Sequence, residues 1–303
     1  MDAATIRHAL TIDVEEWFHD DWRSERGADW DDLPSTVGDD VAQMLEMLAA
    51  AGAGATFFVL GDVAHRQPAV VRAIAAAGHE IASHGFAHQP VRTQSRAQFA
   101  ADVRASLDAL ADCVGTAIGG YRAPYFIRSP RELWAIEVLA ELGIRYDASY
   151  MPLRWMPYLG RDIPRTPYRH PCGVWEFPLP TAEAFGGWNL PYAGGGAMLR
   201  FLPYDTVRRF LALHAATQGS AVVYAHPWEL DPVPRSLPGT PRHVRLWKRV
   251  GRARVRPRLQ RLLHDFRFAP IRDVYARELA GVDVGHPALA FTSTTQGGAH
   301  DFS

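Results

Sequence analysis

The stretch PAVVRAIAAAGHEIASHGFAH, residues 68–88, decides how the chain folds. Pro68 stands where a first helical turn tolerates a missing N–H, and the apolar residues that follow recur with helical spacing until Gly78 ends the run. EIASH then reads as a short strand that opens into a turn carrying His84, Gly85 and His88. Helix, glycine, strand and polar turn together make one step of a repeating α/β pattern.

The pattern extends in both directions. Upstream, HALTID (8–13) and ATFFVL (55–60) read as buried strands around the amphipathic DDVAQMLEMLAAAG (39–52). Downstream, RAQFAADVRASLDALADCVG (96–115) and SPRELWAIEVLAELG (129–143) read as helices, the second opened by Ser129 and Pro130. GGYRAP (119–124) reads as a strand end; IRYDAS (144–149) follows, and GVWEFPLP (173–180) reads as extended chain. YDTVRRFLALHAATQ (204–218) is a helix and SAVVYAHPWEL (220–230) a last strand. Strands alternating with helices predict a parallel sheet or barrel with helices outside. Residues 151–203 are rich in Pro, Gly and aromatics and predict a loop-rich insert, a wall or lid over a site. Residues 232–265 are arginine-rich, and the end, FTSTTQGGAHDFS (291–303), reads as a disordered tail. One catalytic domain over 1–275, with an extension over 276–303, is the expected organisation.

Composition narrows the function. A formal net charge of −1 neither demands nor excludes an anionic partner. Cys113 and Cys172 stand alone, so neither a zinc knuckle nor a disulfide framework is expected. The start, MDAATIRHALTIDVEEW, has no basic flank followed by a long apolar run, and no apolar run is long enough to span a bilayer. A cytoplasmic protein without a transmembrane segment is the expectation.

Four strand ends carry polar residues of one chemical kind: TIDVEEWFH, SHGFAH, GYRAPY and VVYAHPWE. Histidines four apart on a helical turn hold their Cβ atoms about 5–6 Å apart. Their rings can then converge on one zinc at roughly 2.0–2.1 Å each. The alternative is two loop histidines bonded to backbone or water. Asp13 and Glu15 share a side of the first strand, so a carboxylate joins the pair, with Glu16 open if the chain twists. One carboxylate and two imidazoles leave positions for water and substrate, the pattern of a catalytic rather than a structural metal.

With these landmarks, and with ATFFVLG, YDAS, EFPLP, GGG, LPY and HPWELDP in order, the chain from about residue 5 to about residue 275 resembles the NodB-type polysaccharide deacetylases. These are metal-dependent carbohydrate esterases, and the likeness is greatest to the branch encoded with exosortase (PEP-CTERM) exopolysaccharide loci. The resemblance implies an α/β fold, a distorted, incomplete (β/α) barrel, and hydrolysis of N-acetyl groups from an acetylated glycan. It makes Asp13 the general base. Val14 stands where the family's usual T-F-D-D-G has its metal-binding Asp, so strand alternation nominates Glu15 instead. His84 and His88 match the family's paired histidine ligands, and the cofactor implied is a divalent metal, Zn2+ first. RAPY matches the R-x-P-Y motif: Arg122 holds the base ionised and oriented, and a backbone N–H near Tyr125 helps stabilise the oxyanion. YAH matches L-x-H, making His226 the general acid, and Glu176 takes the place of an acid that orients it.

Trp17, Phe18, Tyr125, Trp188 and Trp228 are candidates to stack on sugar rings, with burial in the core the competing use. The resemblance allows peripheral association with an exopolysaccharide assembly system, and nucleic acid is not an expected partner. Three rivals stand beside this reading. The arginine-rich segment suits a module for polyanions, although a solvated polar face explains it too. Relatives of the fold act on small cyclic amides, as allantoinases do. Val14 keeps open an inactive relative that only binds glycan.

Overall fold

The computed structural model describes residues 6–19, 30–127, 129–152, 164–183, 189–191, 195–282 and 285. Strand β1 (Arg7–Val14) is buried at every residue after Arg7, so layers must cover both its faces. Strands β2 (Thr56–Val59), β3 (Glu80–Ser83), β4 (Gly120–Tyr121) and β5 (Tyr146–Asp147) follow beside it in chain order. Between them run α1 (Val37–Ala51), α2 (Gly61–Arg66), α3 (Pro68–Ala76), α4 (Arg96–Val114) and α5 (Trp134–Glu141). Beyond β5 come β6 (Tyr168–Arg169) and β7 (Trp175–Glu176), then a hairpin of β8 (Thr181–Glu183) and β9 (Asn189–Pro191). Helices α6 (Gly195–Phe201) and α7 (Tyr204–Gln218) lead into β10 (Val222–Ala225), which returns beside β1. The chain then forms α8 (Arg242–Arg249), α9 (Val255–Asp265), β11 (Arg267–Ala269), α10 (Ile271–Val274) and α11 (Ala276–Leu279).

The sheet order is β10–β1–β2–β3–β4–β5–β7–β6, with β11 on the first residues of β1. Every pair in it is parallel except β6 with β7. Among the described residues it is an incomplete barrel, open between β6 and β10. Its two faces have separate cores, as a side-chain period of two requires. Leu10, Ile12 and Val14 of β1 and Phe57 and Val59 of β2 pack outward with residues of α1, α3 and α9. Ala9 and Phe58 face inward among Ala82, Ala148, Tyr146 and Phe177, small and large residues filling the interior together. Thr11 and Asp13 fall on the inner register with Ala9. Val14 belongs to the outer core at 0% exposure and cannot reach the interior.

Several local expectations shift. Strand β3 ends at Ser83, one residue before His84, and α5 begins at Trp134 after a 3-10 turn over Pro130–Glu132. Of GVWEFPLP only Trp175–Glu176 is strand. The insert contains β6–β9 and all of α6, and α2 adds a short helix after β2. Residues 153–163 of the insert and the tail 291–303 lie outside the described residues. No described helix is long and apolar enough to cross a membrane.

Candidate active site

The C-terminal ends of β1, β3, β4 and β10 meet at one rim, where parallel α/β folds gather chemistry. Glu15, His84 and His88 are all buried there, each offering a ligand atom within 4.8 Å of the others. Nε2 of His88 lies 2.6 Å from Glu15 Oε2. Each imidazole is oriented through its other nitrogen: His84 Nδ1 sits 2.8 Å from the Arg122 carbonyl oxygen and His88 Nδ1 3.1 Å from that of His19. A proton on Nδ1 donated to a carbonyl leaves Nε2 as a lone-pair donor toward the cluster, the arrangement of metal-bound histidines. These groups fit a divalent cation. Glu16 turns the other way: its carboxylate accepts from Ser35 Oγ and from Thr36 N (3.0 Å) at the start of α1.

The histidine pair is not on a helical turn, as spacing suggested; residues 84–88 form a bend. Gly85 has φ +75°, and an added Cβ would lie 2.9 Å from Asp102 Oδ2. That carboxylate, on α4, accepts from Phe86 N (2.8 Å) and Ala87 N (3.1 Å) and pins the bend in place of helical hydrogen bonds. His88 and Tyr125 also hold positive φ, at 52° and 59°, sparsely populated geometry concentrated at the site.

Asp13 faces the cluster from the inner side of β1. Arg122 NH1 donates to its Oδ1 at 2.7 Å and to Thr11 Oγ1 at 2.8 Å, while Nε donates to Ala148 O at 2.9 Å. Across the cavity, His226 Nε2 lies 3.9 Å from Asp13 Oδ2 and 3.6 Å from Glu15 Oε1. Burial pulls the His226 ring toward neutrality, but Glu229, Glu15 and Asp13 outweigh it and raise its pKa to about 10. Burial raises the Glu15 carboxyl, yet the neighbouring His88, His226 and His84 rings bring it below the ordinary carboxylate range. His84 is driven by burial to about 4, so its ring is neutral.

Two expected roles are corrected. Glu176 is not beside His226. It is buried at the end of β7, accepting from Tyr150 N at 3.1 Å with His170 Nε2 3.6 Å away, because strand pairing sets it beside Asp147 of β5. The acid at His226 is Glu229, whose Oε2 lies 3.3 Å from Nδ1 and accepts the His226 N–H at 3.2 Å. Glu229 is three residues on, across a Pro-opened 3-10 turn, a spacing that capping patterns signal. Trp17 does not line the cavity; its indole donates to Pro34 O at 3.0 Å, since the chain turns away after Glu15.

The other aromatics divide differently. Trp228 donates to Glu15 Oε1 at 3.0 Å, stacks on His226 at 5.0 Å and carries the Arg252 guanidinium 4.4 Å from its ring centre. Its described contacts hold site residues in place. Tyr125 lines the cavity, its ring 4.8 Å from that of His88 and its hydroxyl donating to His19 O at 3.3 Å. Phe18 is buried, at 2% exposure, and Trp188 lies outside the described residues.

The cavity holds about 250 Å3 and is lined by Asp13, Glu15, His84, His88, Tyr125, His226 and Trp228, with Arg200 and Trp247 on its far wall. No local sequence signal marked Arg200 or Trp247, which chain folding brings in from a distance. A larger cavity, about 460 Å3, opens at the opposite strand ends beside Glu80. There Thr56, Tyr146 and the Arg272 N–H already bond the Glu80 carboxylate.

Residues 28–146 match the polysaccharide deacetylase family model and residues 148–276 a domain of unknown function (DUF3473). His84, His88 and Arg122 fall in the first match and His226, Trp228 and Glu229 in the second, so both line one cavity. The chain is 32% identical over 111 residues to a chitooligosaccharide deacetylase of Sinorhizobium fredii, covering 36% of this chain and 48% of that protein. It is 30% identical over 97 residues to the chitooligosaccharide deacetylase of a Bradyrhizobium strain, covering 32% and 42%. The chain thus spans about half the length of the curated relatives it matches. Among solved structures, a Mycobacterium smegmatis protein assigned as a polysaccharide deacetylase superposes with a TM-score of 0.63 at 22% identity, over 95% of this chain and 96% of that one. The Puue allantoinase superposes at 0.59 with 18% identity over 92% of each chain. Both likenesses are of fold. With the site's geometry and these matches together, the chain carries a polysaccharide deacetylase domain of the NodB type, matched over residues 28–146.

Proposed function

We propose that the protein is a metal-dependent deacetylase that removes N-acetyl groups from a glycan containing N-acetylhexosamine, or from its precursor, and releases acetate. The observation that carries this reading is the convergence of two pairs, Asp13 with Arg122 and His226 with Glu229, on Glu15, His84 and His88. A base and an acid beside a cation site suit attack of water on an amide and departure of an amine. Both family matches line the cavity, which supports a single catalytic unit.

Glu15, His84 and His88 would hold the cation, and imidazole with carboxylate suits zinc. When bound, such an ion lowers the pKa of a water and polarises the amide carbonyl. Asp13 accepts the proton of the attacking water, and Arg122 fixes the orientation of that carboxylate. The C–N bond breaks as His226, paired with Glu229, gives its proton to the amine. The products are acetate and a free glucosamine-type amine. Phe58 packs under the Arg122 guanidinium, 4.3 Å from its centre, and keeps solvent from competing for it.

Acetate release from chitooligosaccharides, measured with and without chelator, tests this reading. The expected result is chelator-sensitive release restored by Zn2+. Ring opening of allantoin without acetate release would assign the site to cyclic amides. Metal-free protein that retains glycan without hydrolysing it would make the chain a binding protein.

A further inference from the structure

Helix α8 has the sequence RHVRLWKR, and none of its residues is buried. At about 100° per residue, His243, Leu246 and Trp247, with Val250 just beyond, lie along one side, and Arg242, Arg245, Lys248 and Arg249 along the adjoining side. An amphipathic helix of a globular protein turns its apolar side to the core. This one does the reverse: Leu246, Trp247 and Val250 are 64%, 59% and 45% exposed. The helix is seated by other means. Arg200 donates to the Trp247 and Val250 carbonyls at its C-terminal end, and Phe201 stacks on Trp247 at 4.8 Å. From Pro232 to His264 the chain carries ten Arg or Lys residues and no Asp or Glu, although acidic residues equal basic ones over the whole chain to within one.

We propose that this face docks the protein on an anionic lipid surface, Leu246, Trp247 and Val250 entering the headgroup boundary while the flanking arginines meet lipid phosphates. Exposed apolar side chains beside a dense cationic band are the features of helices that lie in a membrane interface. Charge complementarity selects an anionic rather than a zwitterionic surface, and the apolar side separates a bilayer from a soluble polyanion, which offers nothing for it to enter. Trp247 also lines the catalytic cavity, so a bilayer seated here meets the rim of that cavity. The inference stands on α8 alone and does not need the deacetylase reading.

The test is co-flotation of the full chain with vesicles of phosphatidylcholine alone and of phosphatidylcholine with about 30 mol% phosphatidylglycerol, which adds anionic headgroups. The expected result is binding to the anionic vesicles only. The pair Leu246→Ala and Val250→Ala should weaken it at least about fivefold. The triple change Arg242→Ala, Arg245→Ala and Arg249→Ala should weaken it roughly a hundredfold. All these side chains are exposed, and unchanged thermal midpoints would show that the variants fold. Absence of flotation at low salt would overturn the proposal. So would binding indifferent to the Leu246 and Val250 changes with equal retention on heparin, the mark of a polyanion site. Displacement of the protein from vesicles by soluble chitooligosaccharide would assign the face to glycan instead.

Discussion

Arg122 is fully buried, and its guanidinium ties β1 to β5 through Thr11, Asp13 and Ala148. A lysine has one compact charge and no fork, so Arg122→Lys leaves buried acceptors unmatched. The expected outcome is a kcat lower by about a hundredfold and a stability loss of about 3 kcal/mol, by the scale of broken buried ion pairs. An unchanged kcat in a folded variant would remove Arg122 from the account. Asp13→Asn keeps size and shape but cannot accept a proton. It should lower kcat by about 10²–10⁴-fold with full metal content, read by acetate release and elemental analysis on one preparation. Glu229 acts on His226 and acts as a positioning residue: Glu229→Gln should lower kcat about tenfold with KM unchanged, and Glu229→Asp should recover part of the loss. At this scale the sequence was legible wherever a motif bound residue type to spacing, as for His84, His88 and the RAPY segment. It failed for Glu176 because motif order says nothing of depth: β5–β7 pairing buries that carboxylate against Asp147, while the nearer Glu229 closes a turn onto His226.

The bend after β3 places two of the three candidate ligands, and α4 fixes it. Asp102 uses both carboxylate oxygens on consecutive N–H groups, and an amide has only one acceptor oxygen. Asp102→Asn should therefore weaken metal affinity about 10–100-fold, the usual range for groups one layer behind a ligand, and titration calorimetry would read it. Metal affinity equal to that of the unaltered protein would mean that the bend holds itself. Buried strands and amphipathic helices could be read from their periods: β1, β2, α1, α3 and α4 stand close to where apolar spacing puts them. Elements made by long-range pairing could not. β11 is three residues that become strand only by lying on Arg7–Ala9, and α2 is too short to show a period. The histidine spacing pointed correctly to shared direction and wrongly to a helix, because Gly85 and Asp102 supply a different backbone with the same convergence.

The whole molecule carries a pH dependence separate from its chemistry. His8 and His214 are buried close to each other, and burial lowers each to about 4 from an ordinary 6.5. Their folded pKa values lie below the unfolded ones, so stability is present above pH 6.5 and is lost as pH falls toward 4. Each contributes up to about 3 kcal/mol to that loss. Thermal midpoints across this window should fall, and His214→Gln should flatten the slope; a flat profile in the unaltered protein would contradict the burial argument. The incomplete barrel brings residues from β1, β3, β4 and β10 to one rim, and the account rests on what three of them do together. Elemental analysis of the purified protein beside its His84→Ala variant tests this most directly. One equivalent of a divalent metal per chain, lost in the variant together with acetate release, is the predicted result. A chain that releases acetate without bound metal, or a His84→Ala variant that keeps its full equivalent, would contradict it.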